Sequence, residues 1–250
     1  MKTWILLLAF PLTLAAQSNA VYVGHSRVTE ALESGAVLLS GPDVKVAGAH
    51  RDTPGPLPTE QATTILYVTD GAATLVTGES IQRLTAGDLA VIPANAQRAL
   101  KDLAPSISYY LVTVPVRGLV PPSTFTFVAR ARVETTFKKA GPLADGPNVK
   151  VSGGYRTGPD APADYRPDVE VHATEGDLFY VMSGDATLII GGTVTGGRTT
   201  APGQIRGSKI DGGEAFRLTK GDVMWVPAGV PHWFPEIPTP LGYFLVKVLQ

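Results

Sequence analysis

Two histidines and two carboxylates in the second half of the chain are placed where they could act together. Glu170 and His172 are two residues apart, and alternate side chains of a β-strand point to the same face. Asp177 follows five residues later, and His232 lies in a later segment. Imidazole and carboxylate groups bind divalent metals and transfer protons. The group therefore indicates a metal site or acid–base chemistry, and the alternative is four ordinary polar residues at the mouth of a barrel.

Two short segments must position these side chains. The first begins at Glu170, ends at Gly184 and reads EVHATEGDLFYVMSG. A chain reversal is predicted at 174–176, after which Asp177 opens a strand whose inward side carries Phe179 and Val181. The second segment, residues 220–234, contains His232 and reads KGDVMWVPAGVPHWF.

The chain repeats itself, which indicates a tandem duplication. Residues 41–51 match residues 146–156 at seven of eleven positions, an offset of 105. Later blocks match in the same order at offsets of 113 and 134, among them RLTAGD at 83–88 and RLTKGD at 217–222. The growing offset means that the second copy carries insertions, the longer one between Gly192 and Phe216.

Each copy has the pattern of an all-β domain. Short runs rich in Val, Ile, Tyr and Thr are separated by Gly-Asp, Pro-Ala and Gly-Gly, which is typical of a sandwich or barrel. A short helix is predicted ahead of each copy. The first covers 27–34, with Ser26 as its N-cap and Gly35 at its end, and the second covers 134–139.

The two segments around the histidines resemble the motifs of the cupin superfamily. In that superfamily the first motif has two histidines, a carboxylate and a glycine, and the second has Gly-Asp, Pro-Ala-Gly and a histidine. The matching positions here are His172, Asp177, Gly184, Gly221, Asp222, Pro227 and His232. Because both copies share the pattern, the resemblance implies a bicupin of two tandem double-stranded β-helix (jelly-roll) barrels with short flanking helices.

The resemblance also implies a single divalent metal ion in the second barrel. Its expected ligands are His172, Asp177 and His232, and Glu170 is a fourth ligand, a free base or a salt-bridge partner. Two residues depart from the usual motif, since Glu170 stands where a histidine is usual and Asp177 where a glutamate is usual. Two imidazoles and one or two carboxylates suit Fe, Mn, Ni or Zn, and the sequence does not choose among them.

Two functions remain open on this basis. The first is a metal-dependent enzyme acting on a small phenolic, enolic or acidic molecule, with oxygenase chemistry first and lyase or isomerase chemistry next. Glu170 or Glu175 would then be the general base. The second is a non-catalytic binding or storage protein. An open site with a redox-active metal favours the enzyme, whereas coordination closed by both Glu170 and Asp177 favours the binding protein.

The first copy lacks equivalent metal ligands. Carrying the offsets back places Leu57 at the position of Glu170, and Thr59, Thr64 and Arg98 at the positions of the three other ligands. We therefore expect residues 21–118 to form an N-terminal cupin without a metal, and residues 119–250 to form the cupin with the site. The insertion 192–216 contains Arg198, Arg206 and Lys209. It is expected either to cover the mouth and offer cations to an anionic substrate, or to pack against the other barrel or a neighbouring subunit.

Composition and the N-terminal residues restrict the class of protein and its expected location. The 250 residues carry a net charge of −1, 44% hydrophobic residues and no cysteine, which argues against disorder, nucleic-acid binding and thiolate chemistry. Lys2, an apolar run and small residues up to Ala20 are typical of a signal peptide, residues 1–20. We expect a periplasmic or secreted protein that is not inserted in a membrane after cleavage and has a small-molecule partner. The sequence leaves a homo-oligomer open.

Overall fold

The structure, a computed structural model, describes residues 19–118, 123–158 and 168–250. The predicted signal peptide lies outside the described residues apart from Asn19 and Ala20. The predicted boundary between the two copies, at 118/119, adjoins a segment that is also outside them. Within the described ranges, no helix is both long enough and apolar enough to cross a bilayer.

The described secondary structure consists mainly of strands, with two short helices. The first half contains helix α1 (His25–Ser34) and the strands β1 (Val21–Val23), β2 (Val37–Ser40), β3 (Lys45–Arg51), β4 (Gly55–Leu57), β5 (Ala62–Thr77), β6 (Ser80–Thr85), β7 (Leu89–Ile92), β8 (Arg98–Lys101) and β9 (Ile107–Pro115). In the second half they are β10 (Thr126–Val128), α2 (Arg130–Thr136), β11 (Gly141–Asp145), β12 (Val149–Arg156), β13 (Val169–His172), β14 (Glu175–Ile190), β15 (Thr193–Thr195), β16 (Arg198–Ala201), β17 (Gln204–Gly207), β18 (Lys209–Asp211), β19 (Glu214–Thr219), β20 (Val223–Val226) and β21 (His232–Leu249).

The strands form two antiparallel barrels of the same design. The first has the strand order β10-β7-β5-β9-β3-β2, with β4, β6 and β8 attached through β5. The second has the order β1-β20-β14-β21-β13-β17-β16, with β11, β12 and β19 joined to it. Strands β5, β14 and β21 are 16 to 18 residues long. Irregularities in their pairing let them continue through both faces of a barrel. The predicted all-β jelly-roll architecture is confirmed.

Three hydrophobic cores follow from the alternation of side chains along these strands. In β5, Leu66 and Val68 point into the first barrel, whereas Ile65 and Tyr67 point to a core that both barrels share. In β14, Phe179 and Val181 line the interior of the second barrel, as the alternation predicted. Each barrel therefore buries one set of side chains inside itself and the other set against its partner.

Aromatic stacking at the shared core reflects the duplication. Tyr67 of the first barrel stacks on Phe244 of the second, with ring centroids 5.8 Å apart. Tyr110 of the first barrel stacks on Tyr180 of the second at 5.0 Å. Tyr67 and Tyr180 are equivalent in the repeat, and so are Tyr110 and Phe244, so the two contacts are related by an approximate twofold axis.

The two halves also exchange their leading segments. Strand β1, which precedes the first barrel, pairs with β20 of the second barrel. Strand β10, which precedes the second barrel, pairs with β7 of the first. The helix after each exchanged strand begins at the Gly-Asp turn of the other barrel: the Asp222 carboxylate accepts the backbone N–H of His25 (2.7 Å), and that of Asp88 accepts the backbone N–H of Arg130 (2.8 Å).

These contacts explain the repeated Gly-Asp pair. Gly87 and Gly221 have φ of +92° and +91°, a backbone conformation that favours glycine. A side chain at Gly87 would also meet the Cγ of Arg130 at 2.6 Å. The second carboxylate oxygen of Asp222 accepts hydrogen bonds from the backbone and hydroxyl of Thr219. The Gly-Asp turn therefore admits a helix at close range and caps its first turn.

The predicted helix starts were wrong for this reason. Helix α1 starts at His25, so Ser26 lies inside it rather than at its N-cap, and α2 covers 130–136 rather than 134–139. The capping carboxylates come from 197 and 42 residues away along the chain, which a local sequence pattern cannot show. The predicted end at Gly35 is confirmed, since this residue has φ +76° and its N–H reaches Ala31.

The cross-barrel cap is expected to contribute measurably to stability. Asp222→Ala removes a fully buried carboxylate and leaves its backbone donors without a partner, so we expect it to lower the free energy of unfolding by about 2–4 kcal/mol. Glu30→Ala on the same helix removes only an exposed ion pair with Arg27 and should change it by about 0.5 kcal/mol or less. Urea unfolding followed by circular dichroism measures both, and equal effects would contradict the role of the cap.

Candidate metal centre

Three strands bring the four predicted ligands together in the second barrel. Glu170 and His172 lie on β13, Asp177 lies on β14, and His232 begins β21. The backbone of Glu170 is paired in register with that of His232. One ligand atom from each of the four side chains lies within 4.8 Å of the others. The side chains of His172, Asp177 and His232 are at most 5% exposed, while that of Glu170 is 23% exposed and faces the open side.

The donor atoms surround a common point. His172 Nε2 lies 3.7 Å from Glu170 Oε2 and 3.4 Å from Asp177 Oδ2. His232 Nε2 lies 3.5 Å and 3.6 Å from the same two oxygens. Ligands about 2.0–2.2 Å from a four-coordinate ion are about 3.3–3.6 Å apart. The spacing therefore fits one divalent ion at the centre of the group.

The hydrogen bonds of the imidazoles leave both Nε2 atoms available to a metal. His172 Nδ1 contacts the side-chain oxygen of Gln204 at 2.5 Å, and His232 Nδ1 contacts the backbone oxygen of Val230 at 3.3 Å. A carbonyl oxygen accepts, so each Nδ1 carries a proton, and Nε2 is the ring atom that would bind a metal after losing any proton of its own. Both Nε2 atoms are buried and have no hydrogen-bond partner, which is costly unless a ligand fills the space.

The carboxylates are held ionised by their surroundings. Burial by itself would raise the pKa of Glu170 and of Asp177, but contact with the two imidazoles and with nearby cations holds each pKa below its usual range. Burial would lower the pKa of His172, but the Asp177 and Glu170 carboxylates outweigh it and raise that pKa to about 9. A metal bound here would therefore displace the proton that the raised pKa of His172 favours.

A second layer of charged and polar side chains surrounds the ligands. Lys247 Nζ donates to Asp177 Oδ1 at 2.7 Å, which leaves Oδ2 directed at the imidazoles. Arg156 and Arg206 lie 3.8 Å and 3.5 Å from the carboxylate oxygens of Glu170. Arg156 also stacks on Phe234, 4.4 Å from the ring centre. The open side of the centre is therefore flanked by two guanidinium groups.

The structure places Glu175, the other candidate base, outside this group. Its carboxylate pairs with Lys150 at 3.0 Å and with Lys247 at 3.4 Å. Burial would raise the pKa of Glu175, but these two lysines lower it below its usual value. The amide of Gln204 also contacts it at 3.4 Å. Glu175 thus supports the groups that hold Asp177 and His172 and is not one of the four converging side chains.

The insertion 192–216 contributes to the site as an added strand. Strand β17 pairs with β13, so Gln204 lies opposite His172 and Arg206 opposite Glu170. The remainder forms the two-stranded sheet β15–β18 and the strand β16, which pairs with β17. Arg198 pairs with Asp168, and Lys209 with Asp211, both exposed. Of the three cations in the insertion, Arg206 is the one that reaches the centre.

Sequence reasoning missed Arg156, Gln204 and Lys247. Lys247 had a detectable signal, because period-two alternation puts it on the same face as Tyr243 and Leu245, which point inward. Arg156 is the residue of the second copy that aligns with Arg51 of the first. The repeat therefore showed that this arginine belongs to the pattern, but it did not indicate a role at the centre. Gln204 had no local signal, because its contact depends on the register of the insertion.

Comparisons with known proteins establish the fold. No family model matches the sequence, and no curated protein does either. Among solved structures, salicylate 1,2-dioxygenase from Pseudaminobacter salicylatoxidans matches with a TM-score of 0.66 at 11% identity, covering 95% of this chain and 86% of that one. The same enzyme in adducts with gentisate matches with a TM-score of 0.66 at 12% identity, covering 95% and 83%.

A third matching structure is described as a cupin. A cupin 2 conserved barrel domain protein from Leptotrichia buccalis matches with a TM-score of 0.52 at 12% identity, covering 95% of this chain and 92% of that one. At such identities the similarity speaks for the fold alone. The chain therefore has the cupin superfamily fold, and the matches extend over both of its barrels.

The contact between Gln204 and His172 gives a test of the second layer. Gln204→Leu removes the acceptor that fixes the His172 tautomer, so we expect metal affinity to fall about 10- to 100-fold with the fold intact. Gln82→Leu, in the first barrel, is the matched control and should leave affinity unchanged. Titration of Zn²⁺ against a chromophoric chelator measures the affinity of both variants. Unchanged affinity in Gln204→Leu would contradict the idea that Gln204 orients His172.

Proposed function

We propose that this protein is a metal-dependent cupin whose second barrel holds one divalent ion, Fe, Mn, Ni or Zn. The ligands are His172, His232, Asp177 and Glu170. The observation that carries this proposal is the pair of buried Nε2 atoms without hydrogen-bond partners that face two carboxylates, with all four donors within 4.8 Å. Such a set is the usual protein environment of first-row transition metals.

Each residue has a distinct part in this proposal. His172 and His232 offer neutral imidazoles whose tautomers are set by Gln204 and by a backbone carbonyl. Asp177 keeps one oxygen on Lys247 and the other on the centre. Glu170, the most exposed of the four, either completes the ligand set or receives a proton from a substrate hydroxyl at Oε2. A bound ion supplies Lewis acidity and, where it is redox-active, electrons for reaction with oxygen.

We further propose that the protein is an enzyme, an oxygenase acting on a small phenolic, enolic or acidic molecule. Two features support this substrate class. Arg156 and Arg206 flank the exposed side of Glu170 and suit an acidic group. The matched structures include a salicylate 1,2-dioxygenase and its adducts with gentisate, and both names denote hydroxylated aromatic acids.

The second candidate is a non-catalytic binding or storage protein. It is favoured by the convergence of both carboxylates with both histidines, because four protein ligands close a four-coordinate ion such as Zn²⁺. The same four ligands leave two open positions on a six-coordinate ion. The identity of the metal therefore separates the two functions.

Metal content tests the site. We expect close to one Fe, Mn, Ni or Zn per chain by inductively coupled plasma mass spectrometry of protein purified without an affinity tag. His172→Ala or His232→Ala should abolish this content, because each removes a donor from the centre. Arg98→Ala, at the equivalent place in the first barrel, should leave it unchanged. Loss of metal in folded Arg98→Ala would overturn the assignment to one barrel.

Oxygen consumption then separates enzyme from binding protein. Iron-loaded protein is expected to consume oxygen with gentisate or salicylate, and His232→Ala is expected to abolish this. Absence of turnover with these acids and with non-aromatic enols, at full iron occupancy, would favour the binding protein. Absence of metal even after reconstitution would overturn the metal-dependent proposal as a whole.

We also propose that the chain is exported and cleaved after Ala20. Val21, the first residue after this site, begins β1, so cleavage there would leave the first described strand intact. Expression of the full sequence in a Gram-negative host should give a periplasmic or secreted product whose intact mass corresponds to residues 21–250. A cytoplasmic product that retains residues 1–20 would contradict export.

A further inference from the structure

The interior of the first barrel has the opposite charge to the centre of the second. Strand register shows which positions are equivalent: Leu57 is paired with Arg98 as Glu170 is with His232, and Thr64 with Thr113 as Asp177 is with Lys247. Both carboxylates of the second barrel are therefore replaced by uncharged side chains in the first, and one histidine is replaced by an arginine.

Arg98 points into this interior and is 94% buried. It lies two residues from Leu100, which belongs to the interior core, and adjacent inward positions of a strand are two apart. Its Nε donates to the backbone oxygen of Pro58 at 2.7 Å. Within the described chain, Arg98 has no carboxylate at ion-pair distance, although Glu60 lies near enough to favour its charge. A buried charge without a counter-ion is costly.

Other polar groups share this interior. Thr64 is fully buried, on the same face of β5 as Leu66, and its hydroxyl has no hydrogen-bond partner. Tyr109 belongs to the interior core. Burial raises the pKa of this tyrosine, and Arg51 and Arg98 act against that rise, so both guanidinium groups lie close enough to influence the ring. The interior thus combines the Arg98 guanidinium with a buried hydroxyl that has no partner, and Arg51 lies nearby.

A cavity adjoins this end of the barrel. It has a volume of about 420 Å³, and its polar lining comes from Thr59, Gln97, Arg98 and Lys101. Leu57 and Val76 contribute apolar surface. The described lining contains two cations and no acid. Cavities of this size hold small organic molecules, and a guanidinium group pairs with a carboxylate through two parallel hydrogen bonds.

We infer that the first barrel binds a small organic carboxylate, with the Arg98 guanidinium as its main contact. The carboxylate supplies the missing counter-ion, Lys101 is a further donor, and the apolar lining receives the body of the molecule. This barrel has lost the side chains for a cation and gained those for an anion. The inference does not depend on a metal in the second barrel.

Benzoate titration tests the inference. We expect isothermal titration calorimetry of the mature protein, in a buffer free of carboxylates and phosphate, to show a benzoate site that depends on Arg98. Arg98→Gln should weaken benzoate binding at this site about 10- to 100-fold, since it removes a charge-assisted pair. Lys101→Gln should weaken it less. Arg83→Gln is the matched control, because Arg83 is an exposed arginine of the same barrel that donates to the backbone oxygen of Asp102, and it should leave this site unchanged.

The controls separate folding from binding. Circular dichroism checks each variant, and if Arg98→Gln does not fold, Lys101→Gln at the cavity rim still reports on the site. Arg98→Lys keeps the charge without the two-pronged geometry and should bind with intermediate affinity. Absence of benzoate binding at millimolar concentration, unchanged affinity in Arg98→Gln, or an equal loss of affinity in Arg83→Gln would each overturn the inference. Metal content should be the same in all Arg98 variants.

Discussion

The packing of one barrel against the other is the contact on which the rest of the structure depends. Strands of both barrels place alternate side chains in a shared core, among them Tyr67, Tyr110, Tyr180 and Phe244. Neither barrel could expose this face to water without a large free-energy cost, since burial of apolar surface contributes about 25 cal/mol per Å². The first barrel therefore stabilises the fold of the second, whatever it binds.

The exchanged segments strengthen this dependence. Strands β1 and β10 each complete a sheet of the other half, and the Gly-Asp turns cap the helices that follow these strands. The repeated Gly87-Asp88 and Gly221-Asp222 pairs thus have a structural role in joining the halves. Because every such contact occurs twice around an approximate twofold axis, the duplication and the interface form one arrangement.

The same scaffold supports two different electrostatic centres. In the second barrel, Glu170 and Asp177 face two histidines and create a site for a cation. In the first, Leu57 and Thr64 occupy the equivalent places, and Arg98 takes the position of His232. Few substitutions at fixed strand positions are enough for this change, because the backbone register sets where each side chain points and the residue type sets only its charge.

The sequence by itself determined the fold class, the duplication and the four residues of the candidate centre. The fold class and the duplication follow from strand-like runs and repeated blocks, and the four residues follow from the resemblance to the cupin motifs, in which alternate strand positions share a face. The tertiary structure decided that the cap of α1 comes from Asp222, that Gln204 contacts His172, that Lys247 holds Asp177, and that Glu175 pairs with two lysines instead of joining the centre. Such contacts join segments far apart in the chain, and their geometry is fixed by strand register and barrel closure. No local pattern in the sequence contains that information.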